Sequence, residues 1–93
     1  MNHDDLAQLH QQEMTATYSA DLNNPAYNTF YGAINDYQQA MTAEEVIALA
    51  NRCIASMAGN IPPKLLPGYR RLVALCHWRA KQLQELESES ESG

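Results

Sequence analysis

The sequence predicts an all-α fold, a bundle of three to four helices. Three observations predict it. Apolar residues recur at three- and four-residue spacing along the chain and nowhere alternate as a half-buried strand would. Two helix starts are written in capping residues, at Asn24-Pro25 and at Thr42-Ala43-Glu44-Glu45. β-Branched residues, which suit strands, are few.

The first helix is expected from about Asp4 to Ala20. Asp4 and Asp5 suit the positive end of its dipole. Its apolar stripe of Leu6, Leu9 or His10, Met14 and Tyr18 is thin among glutamines and threonines, so this helix needs a partner to lie on, in its own chain or in another copy. Asp21-Leu22-Asn23-Asn24-Pro25 breaks the chain. The second helix then runs to about Gln39, with Tyr27, Phe30, Tyr31, Ile34, Tyr37 and Met41 on one arc. The tyrosines fall toward its edges, where a hydroxyl can reach water or a partner. Gly32 inside this helix suggests a close approach by another helix.

Thr42 and Glu45 form a capping box for the third helix, flanked by Met41 and Val46 as a hydrophobic staple. This helix carries Val46, Ile47, Leu49, Ala50, Cys53, Ile54 and Met57, and Gly59 is expected to end it in the left-handed conformation. Ile61-Pro62-Pro63-Lys64 should be extended, because proline disfavours helix in the residue before it. Leu65 and Leu66 should plug the core, and Pro67 should open a fourth helix that ends near Glu87. Its buried stripe is Tyr69, Leu72, Val73, Cys76, Ala80 and Leu83. Residues 1–87 thus form a single helical domain, with the first helix as a possible exchanged arm. Ser88-Glu89-Ser90-Glu91-Ser92-Gly93 reads as a disordered, solvated acidic tail.

At 93 residues, 45% apolar and 18% charged, the chain has the composition of one small globular domain. Such a domain buries roughly 60–70% of its unfolded surface, enough for one modest core. No stretch is apolar enough to span a bilayer, and the acidic start does not resemble a signal peptide, so a cytoplasmic, soluble protein is expected. Cys53 and Cys76 lack CxxC spacing and read as buried free thiols.

Signals for chemistry are weak. His3, His10 and His77 are scattered, and Cys76 and His77 are adjacent, so they point about 100° apart on a helix. Neither arrangement suits zinc. No Gly-rich phosphate loop occurs. The carboxylate pairs Asp4/Asp5 and Glu44/Glu45 are explained by helix dipoles. A non-enzymatic protein without cofactor or metal is expected.

Charge is the informative feature. The net charge is -5, yet five of the six Lys/Arg residues fall between Lys64 and Lys81. Before Lys64 there are seven acidic residues against Arg52 alone; after Lys81 there are four glutamates and no base. Projected at about 100° per residue, Arg70, Ala74, His77 and Lys81 lie opposite the core stripe. A flank of Leu75, Trp78 and Leu86, edged by Arg71 and Gln82, lies between the two faces. One reading makes Trp78 the rim of a wide core and the cations a solvated face. The other makes Arg70, Arg71, Leu75, Trp78, Lys81 and Leu86 a surface for a protein partner or for self-association, because Trp and Arg are frequent binding hot spots.

Direct nucleic-acid binding by the basic helix is disfavoured, since acidic flanks repel phosphates and the proline-rich connection is too long for a helix-turn-helix. A membrane-surface helix is disfavoured by the acidic tail next to it. An acidic surface that mimics DNA, with Asp36, Glu44 and Glu45, is a second possibility. The layout of a short acidic chain, Gln/Asn-rich helices, the segment Ile61-Pro-Pro-Lys-Leu-Leu-Pro-Gly-Tyr-Arg-Arg-Leu72 and a Ser/Glu tail resembles the small helical regulators of temperate phages and prophages. These include antirepressors, which bind a repressor and take it off DNA, and inhibitors of host defence. The resemblance implies a protein-binding role without naming the target, and it assigns no functional residue. With the Trp/Arg flank, the expectation is an antirepressor-type inhibitor that acts by stoichiometric association with a repressor or other target, and a homo-oligomer.

Overall fold

The computed structural model describes residues 3–17 and 24–92, with the side chains of residues 90–92 left aside. The described residues form an all-α bundle of four α-helices: α1 (His3–Thr15), α2 (Pro25–Gln39), α3 (Ala43–Ala58) and α4 (Leu66–Ser92). A 3₁₀ turn, Pro63–Leu65, precedes α4. The molecule measures 50 × 23 × 22 Å, its length set largely by α4. The α3–α4 pair is the most extensive interface, and α1 and α2 pack against it.

Local chemistry accounts for the ends. Pro25 sits in the first turn of α2, where its missing N–H is not needed, and the Asn24 carbonyl accepts from Tyr27 and Asn28 at 3.1 and 3.3 Å. Asn24 caps with its backbone alone, since its side chain makes no cap bond. At α3, Glu45 N–H donates to Thr42 Oγ1 and the Thr42 hydroxyl donates to Glu45 Oε1, both at 3.2 Å. The Thr42 side-chain cap therefore forms, while Glu45 reaches the Thr42 hydroxyl and not its backbone N–H. The staple does not form, because Met41 is 80% exposed. Gly59 ends α3 in an extended conformation (φ -87°, ψ -163°), not a left-handed one, with its N–H bonded to the Ser56 carbonyl at 3.1 Å.

The proline connection is extended only as far as Pro62 (ψ 134°). No proline follows Pro63 directly, so the chain is free to turn there, and Leu65 N–H closes the 3₁₀ turn on the Pro62 carbonyl at 3.0 Å. That turn drives Leu65 into the core, 4% exposed, as expected; Leu66 is only half-buried. α4 begins at Leu66, one residue before Pro67, and continues as helix to Ser92, past Glu87. Ser88 and Glu89, in the segment read as a tail, are solvated on this helix.

The core consists of Ile34, Tyr37, Ala40, Val46, Leu49, Ala50, Cys53, Leu65, Tyr69, Leu72, Leu75, Cys76 and Ala80. Tyr37 is fully buried at its centre, not at an edge of the α2 arc. Gly32 has no heavy atom of another element within 4 Å of where a Cβ would stand, so it marks no close approach. The close approach is at Gly68, where a Cβ would meet Phe30 Cζ at 2.6 Å. The absent side chain lets the Phe30 ring cover the first turn of α4 and stack near Tyr69, centroids 4.9 Å apart.

α1 is shorter than the sequence suggests; Tyr18 and Ala20 lie outside the described residues. Its end has a tertiary cause. Gln38 Nε2 of α2 donates to the carbonyls of Glu13 and Ala16 at 2.6 and 2.8 Å, and the Thr15 hydroxyl donates back to Gln11 and Gln12. Last-turn carbonyls that a longer helix would satisfy are satisfied sideways. No helix among the described residues is long and apolar enough to cross a membrane.

Candidate interaction surface on the fourth helix

α4 faces three neighbours, and this decides what each side chain can do. Tyr69, Leu72, Cys76 and Ala80 point into the core, as their spacing requires. Leu75 does too: it is 0% exposed, so it is a core residue and not a member of the binding flank. The buried arc is wider than a single stripe because α1, α2 and α3 all pack against α4.

Arg70, Arg71, His77 and Lys81 are exposed, and none forms an ion pair with another described residue. Leu86 is 60% exposed. Of the six residues read from the sequence as a partner surface, four are therefore on the outside: Arg70, Arg71, Lys81 and Leu86. Trp78 is half-buried, and the element over it is α1 of its own chain. The indole N–H donates to His3 Nδ1 at 2.9 Å, with ring centroids 5.5 Å apart. His10 lies on the same indole at 5.3 Å. Two of the three histidines that look scattered in sequence, His3 and His10, thus converge on the sole tryptophan.

His10 also meets Tyr37, its Nδ1 lying 2.6 Å from the Tyr37 hydroxyl. Burial, and next the nearby Arg79 guanidinium, hold the His10 imidazole below its usual pKa. Burial pushes the Tyr37 phenol up, an effect the Arg79 charge opposes. Arg79 lies 4.9 Å from the Tyr37 ring centroid and donates to the carbonyls of Tyr37 and, at 2.7 Å, Ala40. Two carbonyls at the C-terminal end of α2 thereby gain a cation where the helix dipole favours one. Two turns further along α4, Glu87 Oε1 accepts from the Ala43 N–H at the start of α3, 3.2 Å away. One helix thus supplies a cation to the end of α2 and an anion to the beginning of α3, fixing the tight corner between them.

The sequence projection leaves Arg79 without a role. A signal was present: Leu72, Cys76, Arg79, Ala80 and Leu83 share one arc, and an arginine within a buried arc must find acceptors. Which acceptors it finds depends on where α2 ends in space.

A second concavity opens between α2 and α3 where Gly32 lacks a side chain. It has a volume of about 260 Å³ and is lined by Gly32, Ala33, Leu49, Cys53 and Tyr69, among others. Asp36 and Arg52 bridge its rim at 2.5 Å. Cys53 reaches it as a thiol raised by burial to about 11. Cys76, also buried and free, is raised to about 12 by burial and by the neighbouring Cys53. Neither is a thiolate at neutral pH, so neither has the ionisation of a nucleophile. Among the described residues no group of three or more His, Cys, Asp and Glu is arranged to hold a metal ion.

Comparisons with protein-family models, with curated proteins and with solved structures find no match to this chain.

Proposed function

We propose that the protein is a non-enzymatic regulator that binds a protein target stoichiometrically, in the manner of an antirepressor holding a repressor away from its site. The observation that carries this reading is the division of labour among its cations. Arg52 pairs with Asp36 and Arg79 with backbone carbonyls, whereas Arg70, Arg71 and Lys81 stand exposed on α4 with no ion pair among the described residues. On a chain of net charge -5 such a patch gives direction to an encounter: an acidic target surface is attracted to this helix and repelled by the rest. Leu86 adds exposed apolar area on the same helix. The alternative of a DNA-mimicking acidic surface is weaker, because Asp36 already has its cation.

The test is capture of a partner from source-cell extract by the tagged protein, identified by mass spectrometry and repeated with Arg70→Glu/Arg71→Glu/Lys81→Glu. The wild type should retain one partner in stoichiometric amount, less as salt rises, and the charge-reversed variant should lose it at least about tenfold. Equal capture by both proteins would refute this surface.

A further inference from the structure

α1 is attached unlike any other element. It has no buried residue, and Leu6, Leu9 and Met14 are only partly buried against the core. Its specific contacts are polar: Gln38 to the carbonyls of Glu13 and Ala16, His10 to the Tyr37 hydroxyl, and His3 to the Trp78 indole. Two of the three run through imidazoles. These are seven residues apart, two helical turns, so both project from one face and hold the indole between them.

Imidazole is the side chain whose charge changes nearest neutrality. The Trp78 bond needs a lone pair on His3 Nδ1, and an imidazolium has none to offer. His10 sits between Tyr37 from α2 and Arg79 from α4; Cys76 of α4 and Glu13 of α1 share the electrostatic neighbourhood of the Tyr37 hydroxyl. A proton on His10 would place a second cation beside Arg79 in a partly buried site. A charged ring over Trp78 gains some cation–π attraction. The gain at His10 is opposed by desolvation and by Arg79, which together hold this imidazole neutral while α1 is docked.

We propose that α1 is an acid-released latch: His3 and His10 clasp Trp78, and a proton taken up at His10 frees α1 and uncovers Trp78, Tyr37 and Arg79. The sign follows from proton uptake. Once released, His10 titrates as an ordinary imidazole near 6.5; docked, it takes its proton only at lower pH. The released form therefore binds more protons below about pH 6.5, and acid favours it. The use of the uncovered surface by a target rests on the protein-binding reading above. The release itself does not.

Trp78 is the only tryptophan, so its fluorescence reports the seat directly. The whole protein, with no partner present, is titrated from about pH 7.5 to 5 while emission maximum, acrylamide quenching and far-UV helicity are followed. The expected result is a red shift and several-fold stronger quenching with most helicity retained. His3→Asn/His10→Asn, which keeps polar side chains but cannot titrate, should hold one emission spectrum throughout. His77→Asn, on the outer face, should behave as wild type. An indole that stays equally shielded in acid would overturn the latch, without any need for the variants to fold. So would an acid transition that persists in the double asparagine variant. Because no partner is present, an unmoved indole counts against the latch alone, whereas a wild-type protein that retains no stoichiometric partner counts against the protein-binding reading alone.

Discussion

Arg79 shows how a residue of ordinary appearance can hold a fold together. Its guanidinium lies on the Tyr37 ring and donates to two carbonyls at the end of α2. A planar fork suits two acceptors and an aromatic face at once; an ammonium on a flexible stem does not. Arg79→Lys should therefore cost more than a conservative change on a surface, about 1.5–3 kcal/mol, because at least one charge-assisted bond is lost. Urea unfolding measures it, and Arg70→Lys, at an exposed position, should change stability by less than about 0.5 kcal/mol. If both substitutions proved equally mild, the carbonyl clamp would carry no net stabilisation.

Pairs of helices are governed here by where side chains are missing. Gly32 and Gly68 both lie inside helices, and by propensity alone replacing either with alanine should help. At Gly32 there is open space, so Gly32→Ala should stabilise by about 0.4–1 kcal/mol while narrowing the α2–α3 cleft. At Gly68 the new methyl would meet the Phe30 ring at 2.6 Å. That ring is itself packed on Tyr69, so it cannot swing away without loosening a second contact. Gly68→Ala should destabilise by about 1–3 kcal/mol. Paired thermal melts decide the matter: opposite shifts are expected, and two upward shifts would mean that Phe30 moves freely.

On the scale of the whole molecule, the core holds several acidic protons that the unfolded chain would release. Cys53 and Cys76 are raised by burial from 9.0 to about 11 and about 12, and Tyr37 is raised as well. A raised folded value means that the folded state keeps its proton longer. The stability tied to these groups is complete below about pH 9 and is lost as pH rises through the folded values. Chemical denaturation from pH 8 upward should show stability level at first and then falling above about 9, with a gentler fall in Cys76→Ala. A flat profile to pH 11 would mean that the thiols reach water in the folded state. What the sequence determined by itself was local. The capping box at Thr42, the proline start at Pro25 and the three-and-four spacing of apolar residues set the helices of an all-α fold, because these signals act within a turn or two of the backbone. It also carried the segregation of cations onto α4. Only the tertiary structure decided that Leu75 is core, that Arg79 clamps the end of α2, that Gly68 rather than Gly32 is the crossing point, and that two distant histidines close over Trp78. A helical projection gives the direction of a side chain but not how many neighbours stand in that direction. α1, α2 and α3 all converge on α4, and their number and placement turned a supposed open flank into a seat already occupied by the chain's own first helix.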